Sequence, residues 1–434
     1  MKAKPKHVNL LFVTRTSPFP GDSGSGAYVF DLLQHLSKNG FRIHTVWTEP
    51  PDLVPSGGWY EPPSECRPVF SLDIMGTAKF GRRYWKSDVV WLPFKARASH
   101  VIKSSLQRFG LWWKTKALQP SNATTQAKPI PTVQPSWGSA CTEAEIIAIH
   151  QAIHRFRPDV VLANYAWMAP AVRVAHQSQP PFAVLTHDVR HRQLHLVDGK
   201  PVEILNEHMS AQTELASLQS ADAIIAIQST EGRVFERLLP GKKVVVAPMP
   251  VRPRPLPVPA EPTVLFVGSQ HGPNITGLHW FIKNVWPLIR QNTPLARLLI
   301  AGSVCREFPS PQPEGVEVLG RLPDLASAYA RASVVIAPIL QGSGIKIKIL
   351  EAASFGRACV TTSVGLEGLE SLKPALRVAD TPNAFAAEVT ALLDTPTAAK
   401  VGDQMLALAR SHLSVETCYK PAADLLRSLA SPTT

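Results

Sequence analysis

The stretch GSGIKIKILEAASFG, residues 342–356, carries the pattern that decides the fold class. Its isoleucines alternate with lysines at period two, as in a half-buried strand, yet the run continues into LEAAS, which favours a helix. Apolar runs typical of strands lie on both sides of it, at residues 333–337 and 358–362. Because the crossover between two parallel strands is usually a helix, we expect a helix over residues 345–354.

The same alternation of apolar runs and amphipathic segments covers most of the chain. Further strands are expected at residues 8–13, 42–47, 159–163, 182–186, 223–227, 243–247, 263–267, 296–300 and 316–319. Further helices are expected at residues 26–37, 143–156, 168–176, 202–218, 229–238, 276–290, 325–331, 384–393 and 398–413. Continuous apolar strands that alternate with helices predict an α/β fold with parallel, doubly wound sheets, which bind ligands at the carboxyl ends of their strands.

A proline-rich segment, APMPVRPRPLPVPAEP at residues 247–262, divides this pattern into two halves. Proline lacks a backbone donor and fixes φ, so the segment is predicted to be an extended, semi-rigid connector. We therefore expect two Rossmann-like domains, at residues 1–247 and 263–414, which face each other across a cleft and are joined by a linker at 248–262. A final helix within residues 415–434 is expected to cross back to the N-terminal domain.

Composition narrows the class of protein and its partners. The 434 residues are 45% hydrophobic and 18% charged, which is typical of a folded chain. A formal net charge of +12 indicates anionic partners, namely phosphorylated ligands, nucleic acid or an anionic membrane surface. Five scattered cysteines argue against a disulfide framework or a zinc site. No apolar run reaches the length of a membrane span, so we expect a cytoplasmic protein with only peripheral membrane contact.

A basic, aromatic segment at residues 79–116 is expected to lie between two loops, at residues 48–78 and 119–139. It holds ten Lys or Arg residues, a single acidic residue, Asp88, and four tryptophans. Basic charge beside Trp is typical of a contact with an anionic bilayer or a lipid-linked acceptor at the inner face of a membrane. A helical hairpin with a solvated basic face explains the segment equally well. Single-stranded nucleic acid is a weaker interpretation, since no binding motif accompanies the charge, and we expect no nucleic acid partner.

A glycine-rich loop follows the first strand-like run and contains Gly24 and Gly26. A loop of this kind before an amphipathic helix presents backbone N–H groups to a phosphate or a sugar hydroxyl. The dinucleotide fingerprint G-x-G-x-x-G is incomplete, however, and a tight turn explains the glycines as well.

Polar residues also follow the strand expected at residues 182–186. His187 and Asp188 stand where a parallel strand meets the cleft. A histidine there can hydrogen-bond a sugar or a leaving phosphate, and Arg190 can hold anionic charge. A structural histidine with satisfied hydrogen bonds is an equally common alternative.

The opening stretch combines several groups that suit a nucleotide. Gly342 and Gly344 allow close approach of a ligand, and the N-terminus of the following helix adds partial positive charge for a phosphate. Lys346 and Lys348 can add full charges, and Glu351 can accept two hydrogen bonds from ribose hydroxyls. The alternative, a surface ion pair between Lys348 and Glu351, is worth only about 0.3 kcal/mol and leaves the glycines unexplained.

These residues carry a family resemblance. The segments VLFVGSQHGPNITGLHWFIKNVWP, GRLPDLASAYARASVVIAPI and GSGIKIKILEAASFGRACVTTSVGLEGL resemble glycosyltransferase family 4, the retaining GT-B group often called glycosyltransferases group 1. The resemblance is strong over residues 260–370, looser over the first domain and unspecific over residues 48–140. It implies that the C-terminal domain binds a UDP- or GDP-linked sugar and the N-terminal domain binds the acceptor, without a metal ion or another cofactor.

The resemblance also implies roles for single residues. Glu351 corresponds to the second glutamate of the family's E-x7-E motif, which holds the ribose. His187 corresponds to the histidine that contacts the donor sugar near the reacting carbon, and the glycine loop to the one near the donor phosphates and the acceptor. The implied catalytic residues are His187, Lys348 and Glu351. The implied acceptor-binding residues are Gly24, Gly26, Asp188 and Arg190.

Two departures from the family pattern bear on the donor. Ser343 stands where the motif has its first glutamate, which contacts the transferred sugar, and Ser269 stands where a phosphate-clamping arginine belongs. A subgroup with the pattern GSGxRxKxLEA is similar to this chain, and there the two lysines would neutralise the diphosphate. The implied donor-binding residues are Ser269, Gly342, Ser343, Gly344, Lys346, Lys348 and Glu351.

The sequence therefore predicts a cytoplasmic, peripherally membrane-bound glycosyltransferase. It would move a sugar from a nucleotide-sugar donor to a glycan or lipid-linked acceptor with retention of configuration, in the synthesis of a cell-surface polysaccharide. Two alternatives stay open: a non-catalytic GT-B scaffold that binds a nucleotide sugar or a protein partner, and an epimerase or phosphorylase on the same fold.

Overall fold

The computed structural model describes residues 7–20, 24–48, 59–86, 141–175, 180–206, 210–308 and 311–431. The strands are β1 (Val8–Thr14), β2 (Phe41–Trp47), β3 (Trp59–Tyr60), β4 (Phe70–Ile74), β5 (Thr77–Phe80), β6 (Arg83–Lys86), β7 (Val160–Asn164), β8 (Phe182–Leu185), β9 (Arg192–Val197), β10 (Lys200–Leu205), β11 (Ala223–Ala226), β12 (Lys243–Val246), β13 (Thr263–Val267), β14 (Arg297–Ala301), β15 (Val316–Gly320), β16 (Val334–Ala337), β17 (Gln341–Gly342), β18 (Ala358–Thr361) and β19 (Arg377–Val378). The α-helices are α1 (Gly24–Lys38), α2 (Glu143–Phe156), α3 (Ala169–Ala175), α4 (Ala211–Gln219), α5 (Ser229–Leu238), α6 (Gly272–Trp280), α7 (Trp286–Asn292), α8 (Ala326–Ala330), α9 (Ile347–Ser354), α10 (Ser363–Leu366), α11 (Pro382–Ala391), α12 (Thr395–His412) and α13 (Val415–Ala430).

The first large sheet is parallel and has the strand order β4-β2-β1-β7-β8-β11-β12. Alternate residues of β1 enter different cores: Leu10 and Phe12 pack on one face of the sheet, whereas Leu11 and Val13 pack on the other. A sheet that is covered on both faces explains why its strands are continuously apolar in sequence. The strand order reverses between β1 and β7, so a crevice opens at the carboxyl ends of these two strands.

The second large sheet repeats this arrangement with six parallel strands in the order β15-β14-β13-β16-β18-β19. Its order reverses between β13 and β16, and the loops after these strands contain Ser269 and Gly344. Helix α9 is the crossover from β16 to β18, as expected from the topology. The second crevice is therefore bordered by the stretch from which the sequence analysis started.

The linker lies against the second sheet as an ordered strap. Residues 248–262, all of them described, form neither helix nor strand. The buried guanidinium of Arg357 donates hydrogen bonds to the carbonyl oxygens of Leu256 and Pro257, both at 2.7 Å, and of Tyr329 at 2.8 Å. Because proline leaves carbonyl groups without a matching ladder, a fixed three-way donor such as arginine suits this role.

The last helix, α13, packs on helix α1 of the first sheet. The hydroxyl of Tyr419 donates to Asp31 Oδ2 at 3.2 Å, and its ring meets Tyr28 edge-on with centroids 5.9 Å apart. Arg427 donates to the carbonyl oxygen of Asn39 at 2.7 Å. The carboxyl-terminal part of the chain thus contacts the N-terminal sheet domain as well as following the C-terminal one.

The helix expected at residues 202–218 is wrong over its first part. Residues 200–205 form β10, which pairs with β9 in an antiparallel β9–β10 hairpin, and the helix α4 begins only at Ala211. The turn is Asp198-Gly199, with φ of 49° and 72°. Asp-Gly between alternating residues is a strong hairpin signal, since both central residues of a type I′ turn need positive φ, and the apolar content of the region obscured it.

The loop expected at residues 48–78 is also wrong in part. Phe70, Leu72 and Ile74 alternate at period two, are buried, and place β4 beside β2 as the edge strand of the first sheet. Strands β3, β6 and β5 form a small antiparallel sheet, so the described part of the basic segment, residues 79–86, is strand. The rest of that segment, residues 87–116, and the loop expected at 119–139 lie outside the described residues.

Among the described helices, none is both long enough and apolar enough to cross a membrane.

Candidate functional site

The crevices of the two sheets meet, because loops from both touch each other. A Cβ placed at Gly344, after β16, would lie 2.8 Å from the carbonyl oxygen of His187, after β8. Next to this contact the hydroxyl of Ser343 donates to Asp188 Oδ2 at 3.4 Å. Gly24, at the start of α1, lies so close to Ile347 of α9 that a Cβ would overlap its side chain. The structure therefore brings the residues predicted on the two domains into one site.

His187 is held by a short polar chain across the first switch point. Its Nε2 lies 2.8 Å from Asn164 Oδ1, and Asn164 Nδ2 lies 3.0 Å from the hydroxyls of Thr14 and Thr16. The Thr14 hydroxyl donates to the Thr16 carbonyl, so it accepts from the amide nitrogen of Asn164 and leaves the amide oxygen to His187. Nε2 of His187 thus carries the proton, and Nδ1 is an acceptor. Burial lowers the pKa of His187 to about 3, so the ring is neutral.

An aromatic stack supports the same histidine. The Tyr165 ring stacks on His187 with centroids 4.2 Å apart and on Trp167 at 4.1 Å, and the Arg190 guanidinium lies 4.6 Å from the Trp167 ring. Tyr165 has φ of 71°, a region that non-glycine residues rarely adopt and that clusters at functional sites. Sequence analysis missed Asn164, Tyr165 and Trp167, although their position directly after the apolar run of β7 was a usable signal.

Lys348 lies in the second crevice over the aromatic ring of Phe266. Its Nζ is 4.8 Å from the ring centroid and donates to Asn274 Oδ1 at 2.5 Å. Asn274 in turn donates to the carbonyl oxygen of Ser269 at 3.0 Å. Burial lowers the pKa of Lys348 to about 8, and nearby Glu351 opposes the shift. Ser269 therefore acts on this lysine through Asn274, a residue that sequence analysis did not single out.

Glu351, one turn beyond Lys348 on α9, accepts a hydrogen bond from the Tyr329 hydroxyl at 3.0 Å. Burial raises the pKa of Glu351, while this hydrogen bond and the charges of Lys348 and Arg254 oppose the rise. The Tyr329 ring stacks on Phe355 with centroids 4.4 Å apart, which holds its hydroxyl in place. A carboxylate positioned in this way can accept hydrogen bonds from a vicinal diol such as ribose.

Lys346 has partners different from those of Lys348. Its Nζ lies 3.4 Å from Glu367 Oε2, and both side chains are largely buried. Burial lowers the pKa of Lys346, and the carboxyls of Glu367 and Glu231 oppose the shift. Since Glu231 belongs to the first domain, Lys346 places a positive charge between acids of both domains.

The remaining predicted residues lie around the contact between the domains. Gly342, with φ of 134°, belongs to β17, which pairs with β9 and so extends the β9–β10 hairpin across the cleft. Gly26 is buried in the first turn of α1. The backbone N–H of Arg190 donates to the carboxylate of Glu214 at 3.1 Å, which fixes the loop after His187.

Similar proteins agree with this geometry. Residues 261–395 match a family model described as "Glycosyl transferases group 1". A protein of Klebsiella pneumoniae described as "Uncharacterized 44.6 kDa protein in cps region" is 31% identical over 116 residues. That match covers 24% of this chain and spans only 30% of the Klebsiella protein.

Several solved structures share the fold over nearly the whole chain. Sucrose-phosphate synthase from Thermosynechococcus elongatus has a TM-score of 0.62 at 15% identity, with 98% of this chain and 99% of that one covered. The pneumococcal O-GlcNAc transferase GtfA, solved with UDP and GlcNAc, has a TM-score of 0.63 at 10% identity, with 98% and 99% covered. Anabaena HepE, solved with UDP and glucose, has a TM-score of 0.57 at 14% identity, with 97% and 100% covered.

These likenesses extend over both sheets and confirm the fold predicted from the sequence. The chain therefore has the GT-B fold of two facing Rossmann-like domains, and its residues 261–395 match the glycosyl transferases group 1 family.

Proposed function

We propose that the protein transfers a sugar from a UDP- or GDP-linked donor to a glycan or lipid-linked acceptor with retention of configuration. The observation that carries the proposal is the contact of Gly344 with His187, which joins the lysine and glutamate of α9 to the histidine of the first domain. The group 1 match and the UDP and sugar in the related structures support a nucleotide-sugar donor. The similarity to a protein of a cps region supports a role in polysaccharide synthesis.

In the proposed reaction, each group has a physical task. Glu351 accepts hydrogen bonds from the ribose, and Lys348 and the N-terminus of α9 neutralise the diphosphate. Nδ1 of neutral His187 accepts a hydrogen bond from a sugar hydroxyl. The acceptor oxygen forms its bond to the anomeric carbon on the face from which the diphosphate leaves, and its proton passes to the departing phosphate oxygen. No metal ion and no protein nucleophile take part in this scheme.

Binding and turnover measurements test the donor site. UDP and GDP and their common sugars should be screened for a rise in melting temperature, since a ligand that binds only the folded chain stabilises it. We expect Glu351→Ala and Lys348→Ala each to weaken nucleotide binding about ten-fold, the loss of a charge-assisted hydrogen bond. The exposed residues Glu236 and Lys400 offer matched controls, and Glu236→Ala and Lys400→Ala should bind normally.

The outcomes separate the three functions. Release of nucleotide with an axial-to-axial or equatorial-to-equatorial product, read by NMR, supports retaining transfer. Nucleotide binding without turnover over a panel of acceptors would favour the non-catalytic scaffold, and conversion without any acceptor would favour the epimerase or phosphorylase. A chain that binds none of the nucleotides would overturn the proposal.

We also propose that the protein works in the cytoplasm at the inner face of a membrane, through residues 79–116. The described edge of this segment supports the idea: Phe80 and Trp59 are 50% and 55% exposed and meet edge-on at 5.6 Å. Exposed Arg82 and Arg83 lie in the same small sheet. Aromatic rings beside basic charge suit an anionic lipid surface.

Flotation with vesicles tests this surface. Vesicles that contain phosphatidylglycerol should carry the protein, whereas vesicles of phosphatidylcholine alone should not. The double variant Trp59→Ser, Phe80→Ser should float less, and Leu295→Ser, a control at an 81% exposed residue of the other domain, should float like the wild type. Equal flotation of all variants with both lipids would contradict the proposal.

A further inference from the structure

A small cavity lies between the two domains beside Ser343, the residue that replaces the family's sugar-contacting glutamate. It is lined by Glu231 from the start of α5, Val189 from the loop after His187, Leu194 from the β9–β10 hairpin, and Ser343 and Glu367 from the second domain. The cavity is therefore formed only where the domains meet, directly next to the histidine and the donor loop.

Glu231 has an unused hydrogen-bonding oxygen at this cavity. The residue is 2% exposed, and its Oε1 accepts a hydrogen bond from Gln228 Nε2 at 2.7 Å. Its Oε2 is buried and has no partner among the described residues. A buried carboxyl oxygen without a partner is unfavourable, and such groups in folded proteins call for an explanation such as a bound ligand.

Asp188 repeats this arrangement on the other side of Ser343. Its Oδ2 accepts the Ser343 hydroxyl at 3.4 Å, while its buried Oδ1 has no partner within the described part of the chain. Burial raises the pKa of Asp188 to about 6 and raises that of Glu231 well above its usual value. Lys346, the nearest positive charge to Glu231, is already paired with Glu367. Two carboxyl groups in excess of their partners therefore border the cavity.

We infer that Glu231 and Asp188 recognise hydroxyl groups of the donor's sugar and take over the task of the glutamate that is missing at Ser343. The inference rests on the proposed function and goes further, since it assigns the sugar-recognising residues and the class of sugar. Hydroxyl groups are neutral donors, and they can satisfy both free carboxyl oxygens without adding charge. A uronic acid would bring a third carboxylate into a buried acidic site, which is strongly unfavourable. The site therefore selects a neutral or amino sugar and rejects a uronate.

The test separates the sugar's contribution to binding from that of the nucleotide. Dissociation constants are measured for UDP and GDP and for UDP-glucose, UDP-N-acetylglucosamine, UDP-glucuronate and GDP-mannose, with the wild type and with Glu231→Gln, Glu231→Ala and Asp188→Asn. Glu236→Gln, on the same helix but exposed, is the control. We expect the ratio of the Kd of the best nucleotide sugar to the Kd of its nucleotide to rise about ten-fold in the variants and to stay constant in the control.

A second expectation concerns charge. The wild type should bind UDP-glucuronate at least about ten-fold more weakly than UDP-glucose, and Glu231→Gln should narrow this gap because it removes one negative charge. Glu231→Gln keeps the shape of the side chain, and the separate variant Asp188→Asn gives the same readout if the first one fails to fold.

The results are distinguishable from a failure of the proposed function. If the wild type binds neither UDP nor GDP, the proposed function falls, and the inference falls with it. If nucleotides bind but the ratio is unchanged in all three variants, or changes only because nucleotide binding itself is lost, the inference is overturned while the proposed function stands. Preference for UDP-glucuronate over the neutral sugars would overturn it as well.

Discussion

The backbone of Gly344 lies against the carbonyl oxygen of His187, so that a Cβ at position 344 would approach this oxygen to 2.8 Å. Gly344→Ala therefore meets a fixed backbone atom of the other domain, and we expect the cleft to be forced apart. Separation of His187 from the donor loop should lower kcat/KM at least about ten-fold, because catalytic groups must be held within a fraction of an ångström. Enzyme kinetics and the radius of gyration from small-angle scattering measure the two effects.

Gly320→Ala provides the control for backbone strain. Gly320 has φ of 74°, close to the 72° of Gly344, but nothing lies within 4 Å of a Cβ there. Both substitutions carry the same penalty of roughly 1 kcal/mol for a left-handed conformation. Only Gly344→Ala should change activity and shape, and equal effects of the two variants would contradict the interdomain contact.

The affinity for the nucleotide should depend on pH through Lys348. Its pKa of about 8 means that the lysine is charged at pH 7 and loses its proton as the pH rises above 8. The Kd of the nucleotide diphosphate should therefore increase from pH 7 to pH 9, by up to about ten-fold for each pH unit above the pKa. Lys348→Arg keeps its charge over this range and should bind with little dependence on pH. Parallel pH profiles of the two proteins would argue against contact of Lys348 with the diphosphate.

The neutral, buried His187 should make the protein sensitive to acid. Its pKa is about 3 in the folded chain and about 6.5 in the unfolded chain, so between these values only the unfolded chain binds the proton. Folding stability from this group therefore decreases as the pH falls below 6.5, by ~2 kcal/mol between pH 7 and pH 5. Urea unfolding of the wild type and His187→Gln measures this: the stability difference between them should shift in favour of the variant at pH 5. A difference that is constant with pH would show that His187 gains its proton in the folded state.

Arg357 should be the anchor of the linker. Arg357→Leu leaves the carbonyl oxygens of Leu256, Pro257 and Tyr329 without their donor, and we expect a loss of ~3 kcal/mol in the free energy of unfolding. Limited proteolysis should then cut within residues 248–262 before the domains. The exposed Arg306 offers a control, and Arg306→Leu should leave both stability and cleavage unchanged. Normal resistance of Arg357→Leu to protease would contradict the anchoring role.

Local pattern predicted the large sheets well and the irregular additions poorly. The helix at residues 345–354 was predicted against its own period-two pattern, because the topology of parallel strands demands a crossover, and α9 lies there. The β9–β10 hairpin was missed because residues 202–205 suit a helix by apolar content, although Asp198-Gly199 encodes the turn. Helix α4, which begins at Ala211, was consequently placed too early.

The candidate site was accessible from sequence only where one segment holds the whole motif. Lys348 and Glu351 lie on a single helix, so their spacing alone suggested a joint role. The role of Glu231 depends on a cavity shared with Ser343, and that of Asn164 on a contact with His187. These partners are far apart in the chain, and no local pattern links them.

The sequence by itself determined the two parallel sheets, the proline-rich division between them and the residues that border each crevice. These features follow from hydrophobic periodicity and turn chemistry, which act over a few residues. Only the tertiary structure decided that Gly344 meets His187, that Tyr165 adopts a strained conformation beneath the histidine, and that Glu231 faces a cavity without a partner. The physical reason is that burial and contact between the two domains arise from packing over long separations, which no single stretch of the chain encodes.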